Sequence, residues 1–343
     1  MRKLKNTLYI TKPEAYLSRD GENIVIKIDG KEIGRRPIHL LESIICFHYT
    51  GMNGALLRLC AEHGVSVSFM DSHGRFCGRV QGRINGNVLL RRKQFRVADS
   101  PEDALSIARH MVLAKIVNGR KILSRALRDH PGQVDGDLLH RVMESLTSSI
   151  ERVETAPNAE MLRGIEGDAA KTYFSVIDQL ILQQKNHFYF TERSKRPPLD
   201  PLNALLSYVY TLLAIDCQNA LEAVGLDPYV GFFHKDRPGR AGLALDIMEE
   251  LRAYLGDRFV ISLINRKQIR GSDFHWKENG AVLLRDEGKR SLLDAWQKRK
   301  QDAIEHPYLK EKVEVGLIPY AQAMLLASFL RGDLEAYPPF FVQ

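Results

Sequence analysis

A chain of 343 residues is long enough for two domains with separate cores, and its 44% hydrophobic and 27% charged residues are an ordinary globular balance. The formal charge of +7 favours an anionic partner without requiring one. Four scattered cysteines with no CxxC pair leave no thiol zinc spacing and fit reduced thiols in an intracellular protein.

The N-terminal MRKLKNTLYITK is basic but has no apolar run behind it, so it is not a secretory signal. The longest mainly apolar stretch, Ala204 to Ile215, is too short to cross a bilayer. These features predict a cytoplasmic protein with no membrane association. TLYIT and then AYLSRDGENIVIKIDGKEIG carry β-branched residues around two Asp-Gly turns, a strong hairpin signal. HLLESIICF adds a strand, GALLRLCAEHG a short helix stopped by Gly64, and VSVSFMDSHGRFCGRV a further hairpin. Near residue 100 the pattern turns helical. Ser100 is placed as an N-cap, with Pro101 at the first helical position and acids in the first turn. Helical patterns continue in GDAAKTYFSVIDQLIL, PLNALLSYVYTLLAIDCQNALEAVG, Ala244 to Leu255 and IPYAQAMLLASFLRG. The expected fold class is α+β with two domains: a small β-rich domain over 1–95, then a larger all-α domain over 96–343.

Two places hold candidate chemistry. In GFFHKDRPGRAGLALDIMEEL, His234 lies in a loop before a helix whose apolar stripe is Ala244, Ile247, Met248, Leu251 and Leu255. At ~100° per residue, Asp246 and Glu249 fall ~60° apart on the side away from that stripe. The plain expectation is therefore acids on a wet helix face. Against it stand Leu245 and Ala253 on the same side, and the ligand-rich, cation-rich loop. The second place is LRGIEGDAAKTYF, where Glu166 lies between two glycines at the expected start of a helix. An acid favoured by the helix dipole is the plain reading there. Gly164 and Gly167 would equally let a ligand approach closely. Sequence alone does not bring Glu166 to Glu249.

The ordered set GIEGDAAKTYF, PLNALLSYVYTLL and GLDPYVGFFHKDRPGRAGLALDIMEELR resembles the CRISPR adaptation integrase family, CRISPR-associated protein one. With KRPPLDPLNALLS, LINRKQI, HPYLKEKV and RGDLEAYPPF, it is most similar to the type I-C branch. The resemblance runs from LYIT to the tail. It implies a metal site in the helical domain: Glu166 from the IEG motif, His234 from GFxH, and Glu249 three residues after the LALD aspartate. That aspartate, Asp246, would support the site by holding His234 or a metal-bound water, and Glu250 is a poorer ligand, a further ~100° around the helix. Two carboxylates and one imidazole suit Mg²⁺ or Mn²⁺, the nitrogen ligand favouring Mn²⁺.

The implied reaction is attack by the 3′-hydroxyl of a short DNA fragment on a phosphodiester at a CRISPR repeat edge, inserting a spacer. The implied partners are double-stranded DNA (incoming fragment and repeat), a second copy in a homodimer joined through the β domains, and the small second CRISPR adaptation protein. Candidate phosphate contacts are Lys235, Arg237 and Arg240, with Arg193, Lys195 and Arg196 in TERSKRPP and Arg91, Arg92 and Lys93 near the domain boundary. Two other readings stay open at this point: a nuclease for branched or repair DNA using the same centre, and a non-catalytic DNA-binding scaffold. The apolar tail YPPFF either folds back on its own domain or docks on a partner.

Overall fold

The structure, a computed structural model, describes residues 3–48, 50–71, 74–82 and 88–342. Contacts divide the chain into two units: Met1–Asn85 with Asp286–Asp302, and Gly86–Arg285 with Ala303–Gln343.

In the first unit, strands β1 (Asn6–Ile10), β2 (Tyr16–Asp20), β3 (Asn23–Ile28), β4 (Lys31–Pro37), β5 (Leu41–Phe47) and β6 (Gly51–Met52) precede helix α1 (Gly54–Glu62). Strands β7 (Ser66–Met70) and β8 (Phe76–Val80) come after it. Both expected Asp-Gly turns form. At the second, Asp29 and Gly30 both have positive φ (49° and 76°), the twist a two-residue hairpin needs. The result is a β4-β3-β2-β6 sheet and a β1-β5-β7-β8 sheet in which β1, β5 and β7 run parallel. Helix α1, capped by Asn53 on the Leu56 N–H, contacts β2 and β7. Leu17, Ile24, Ile44, Leu56, Leu59 and Val67 share one buried cluster. Strands β7 and β8 pair as expected, while the tip of their hairpin, residues 72–73, lies outside the described residues.

The second unit is mainly helical. Helix α2 (Val88–Asp99) runs through the expected boundary at 95/96 and packs on α3 (Pro101–Asp129), so it belongs to the later unit. The Ser100 side chain caps α3 through the Asp103 N–H, with Pro101 in the first turn. Then come α4 (Gly136–Glu154), α5 (Ala159–Phe174), α6 (Pro201–Ala223) and α7 (Gly242–Leu251). A π-helical turn over Arg252–Asp257 links α7 to α8 (Arg258–Asn265). The unit is not strictly all-α, because it carries two small ladders: β9 (Phe274–Trp276) with β10 (Val282–Leu284), and β11 (Ala303–Glu305) with β12 (Lys312–Glu314). Between them, α9 (Asp286–Lys300) returns to the first unit, burying Leu292, Leu293 and Trp296 and contacting β1. Helix α10 (Ile318–Arg331) ends at Gly332 in the left-handed region, φ 88°.

The tail folds back on the second unit. The Tyr337 hydroxyl and the Phe340 N–H both donate to the Glu250 carboxylate. Asn118 of α3 donates to the Phe340 carbonyl and accepts from the Val342 N–H, each at 2.8 Å. Among the described residues, no helix is long and apolar enough to cross a membrane.

Candidate metal centre

Helix α3 packs against both α5 and α7 in the second unit, and Lys115 of α3 reaches an acid on each. Helix α5 starts at Ala159 under an Asn158 cap, so Glu166 stands in mid-helix rather than at an N-terminus. The helix dipole therefore does not account for that acid. Gly164 and Gly167 continue the helix, and a Cβ at either would meet nothing within 4 Å, leaving open space on both sides of Glu166.

The expectation of a wet face on α7 is also overturned. Asp246, Glu249 and Glu250 are 0%, 3% and 0% exposed, because α3, α6 and α10 cover the helix on several sides. A helical wheel gives the direction of each side chain but not what covers it.

The loop before α7 is fixed by its contacts. Gln94 of α2 donates to the Asp227 and Val230 carbonyls and accepts from the Asp227 N–H. Gly231 and Gly242 pass so close that a Cβ on Gly231 would lie 2.7 Å from Asp246 Oδ2, and one on Gly242 2.8 Å from the Tyr229 carbonyl. Only glycine fits this crossing.

Asp246 organises the loop around His234. Its Oδ2 accepts from the Phe232 and Phe233 N–H groups at 2.6 and 3.0 Å, and its Oδ1 from the His234 N–H at 3.0 Å. His234 Nδ1 lies 2.6 Å from the same Oδ1. A carboxylate only accepts, so Nδ1 carries a proton and donates it to Asp246, leaving Nε2 turned away from that acid. The Phe233 ring meets the imidazole edge-on at 5.3 Å and helps fix its plane.

Nε2 faces Glu249, with Oε1 3.9 Å away. Glu249 Oε1 also meets Arg252 at 2.9 Å, and its Oε2 meets Lys115 of α3 at 2.6 Å. The Lys115 ammonium in turn bonds Glu166 Oε1, so one lysine bridges the two carboxylates. Burial alone would raise the Glu249 pKa, but Arg252, Lys115 and His234 outweigh it and hold the carboxyl below its ordinary value. Arg252 opens the π-helical turn and stacks on Tyr210, 4.8 Å to the ring centre. A cleft of about 370 Å³ opens beside His234, lined by Lys235 and by Arg163 of α5.

The sequence-derived set Glu166, His234, Asp246 and Glu249 thus converges. Two carboxylates from different helices and an imidazole whose Nε2 faces one of them are donor types that suit a divalent ion, but as placed, with the Lys115 ammonium bridging the pair, no group of three or more such side chains among the described residues stands close enough to hold one. Asp246 holds the histidine, as a supporting acid does. Lys235 and Arg237 are exposed on the loop and Arg240 half-buried. Arg193 is committed internally to Asn203, Ser207 and the Ser194 carbonyl. Lys195, exposed, is held below its ordinary pKa by partial burial and by the charges of Arg252 and Arg193, which puts it near the cluster; Arg196 is exposed. Lys115, Gln94 and Arg252 were not picked out by sequence reasoning. For Lys115 a signal existed: it interrupts the apolar run MVLAKIV at a core-facing position.

Fold and site together define an α+β protein whose helical unit gathers carboxylates, an imidazole and cations, with Asp246 and Glu249 buried and Glu166 and His234 half-buried. The family model described as CRISPR associated protein Cas1 matches residues 8–298. A CRISPR-associated endonuclease Cas1 of Chlorobaculum tepidum is 50% identical over 340 residues, covering 99% of each chain. The chain belongs to the Cas1 family. In fold it resembles a casposase bound to an integration product (TM-score 0.84, 21% identity, 97% of this chain and 93% of that one). It also resembles a chain of a Cas6-RT-Cas1–Cas2 complex (TM-score 0.82, 24% identity, 99% of this chain and 36% of that one).

Proposed function

We propose that this protein is a metal-dependent DNA integrase and endonuclease of CRISPR adaptation, using Glu166, His234 and Glu249 to hold Mg²⁺ or Mn²⁺. The observation that carries the reading is the convergence of these three side chains from α5, α7 and the intervening loop in a chain of the Cas1 family. Names of close relatives support endonuclease activity.

When bound, the ion supplies Lewis-acid activation of a hydroxyl and neutralises charge developing on the phosphoryl group. The chain does the rest. Asp246 keeps His234 in the tautomer that presents Nε2. The Asp246 bonds to three successive backbone N–H groups hold the loop, so the imidazole arrives pre-oriented. Lys235, Arg237 and Arg240 contact phosphates of the DNA, with Lys195 and Arg196 as a second basic group and Arg193 buttressing it. The DNA is the incoming double-stranded fragment and the CRISPR repeat.

The branch is type I-C-like, on the tail and KRPPLDP motifs. The β-rich unit forms a homodimer contact, and the assembly includes the small second adaptation protein, a reading supported by a complex with Cas2 containing a chain of this fold.

The test is strand transfer: a labelled short duplex with free 3′-hydroxyls, a supercoiled plasmid carrying one repeat, and Mn²⁺. Labelled fragment joined at a repeat edge is the expected product. Cleavage of branched DNA with no joining, in the presence of the small partner, would favour the repair-nuclease reading instead.

A further inference from the structure

Lysine is costly on a buried helix face unless it is paired. Lys115 stands in the packed stripe of α3 formed by Ala108, Met111, Val112, Gly119 and Ile122, and only 13% of its side chain is exposed. Its partners are Glu166 and Glu249, from two other helices. The hold on Glu249 is one of charge: Oε2 lies 2.6 Å from Nζ yet outside hydrogen-bond geometry, and it has no other partner.

The other cation on Glu249 is anchored differently. Arg252 is one helical turn along, 2.9 Å from Oε1, with its guanidinium over the Tyr210 ring. Lys115 is a compact charge on a four-carbon stem, standing between two carboxylates where a divalent ion would also be attracted. The local charge count matters here. Two carboxylates face two cations, so the four groups sum to zero and attract a dication weakly.

We infer that Lys115 is an internal competitor for the divalent ion: its ammonium bridges Glu166 and Glu249 in the metal-free protein, and the ion binds by displacing it. The inference rests on the metal reading above and adds a control on loading. Without an ion, the lysine keeps the buried Glu249 and the half-buried Glu166 from repelling each other. With Lys115 swung away, the carboxylates regain a net negative charge and the ion binds more tightly.

The experiment uses the full chain without DNA. Mn²⁺ is titrated in while free ion is followed by electron paramagnetic resonance, and thermal unfolding is recorded in chelator and at saturation. Lys115→Met should melt at a lower temperature than wild type in chelator. It should nevertheless bind Mn²⁺ at least about 5-fold more tightly and gain more in Tm on saturation. Lys115→Arg, keeping the charge, should return Mn²⁺ affinity to the wild-type level or below. A lysine with a merely structural role would lower metal-free stability and Mn²⁺ affinity together. That result, or unchanged affinity in Lys115→Met, overturns the inference.

Should Lys115→Met not fold, the wild-type structure with Mn²⁺ bound decides. Nζ displaced from both carboxylates is expected, and Nζ still bridging them beside the ion overturns the idea. His234→Ala is measured alongside. Wild-type Mn²⁺ affinity in that variant removes the metal reading itself. Lost affinity there, with no gain in Lys115→Met, removes only the competitor.

Discussion

Glu249 and Glu250 are neighbours on one buried helix, yet they belong to two different kinds of site. Glu249 faces cations: Lys115 and Arg252 press on its two oxygens, and His234 lies beyond. Glu250 faces neutral donors, the Tyr337 hydroxyl, the Gln322 amide at 3.0 Å and the Phe340 N–H at 2.6 Å. Burial pushes the Glu250 carboxyl up to about 7 despite those bonds, whereas the cations hold Glu249 down. Helix α3 serves both: Lys115 reaches Glu249 and, one turn on, Asn118 bonds the Glu250 carbonyl. The contrast teaches that burial alone does not decide what a carboxylate is for. An acid saturated by fixed neutral donors is a structural clasp. An acid held by a movable charge, with an oxygen lacking hydrogen bonds, can exchange partners.

The largest expected effect lies on the exchangeable side. Glu166→Gln, His234→Ala and Glu249→Gln should each lower strand transfer by more than about 100-fold, since even supporting groups of a metal site are worth 10–100-fold. Circular dichroism should show the fold kept. One variant joining DNA at the wild-type rate in Mn²⁺ would strike that residue from the proposed ligands. Asp246→Asn should fall less far, because the metal contacts survive while the hold on His234 weakens.

On the clasp side, Glu250→Ala strips the acceptor from three buried donors and should cost about 3 kcal/mol of stability. Chemical denaturation measures it, and limited proteolysis should find the 337–342 tail freed. A loss below about 0.5 kcal/mol would mean the clasp contributes little, within the range of ordinary surface changes.

Smaller is the effect of the loop cations. Replacing Arg237 and Arg240 together with alanine should flatten the log–log salt dependence of DNA binding by roughly 0.9 per lost phosphate contact. Arg299 and Lys300 would make a poor charge-matched control, since Lys300 is buried against Glu42 at 3.4 Å. Exposed Lys298 and Lys312 serve better. Equal slopes from both pairs would mean that only net charge matters.

A further effect is on pH dependence. Folding raises the Glu250 pKa from 4.5 to about 7, so the folded state binds this proton more tightly than the unfolded one. Its contribution therefore favours folding at low pH and is lost as pH rises from about 4.5 through 7. Glu250→Gln should flatten the stability profile across that window by roughly 2–3 kcal/mol, measured by denaturant midpoints at pH 5 and pH 8. A profile parallel to wild type would show that another group titrates there.

Much of the fold was legible because local chemistry decided it. The turns at Asp20-Gly21 and Asp29-Gly30, the Ser100–Pro101 helix start and the Gly332 stop all rest on a few adjacent residues. The candidate site was legible in its identities, through motif resemblance, but not in its surroundings. Periodicity assigned Asp246 and Glu249 to a wet face, since nothing in the local sequence announces that α3 and α10 will cover α7. The reading of Glu166 at a helix start fails because the Asn158 cap, eight positions earlier, sets the actual start. Lys115 and Glu166 are 51 residues apart, and only packing reveals their pairing.

The return of α9 to the first unit makes the order of synthesis matter. Residues up to Asn85 emerge early, but the helix that buries Leu292, Leu293 and Trp296 with them ends at Lys300. At about 5–20 residues per second, the ribosome needs on the order of ten seconds or more to cross the roughly two hundred residues between. The unit encoded first is therefore completed late, after most of the helical unit has been made. A fragment cut at residue 85 or 95 carries the sheets without their last helix. For the isolated β-rich unit to be soluble and monodisperse, residues 286–302 have to be supplied with it, through a short linker or as a second chain.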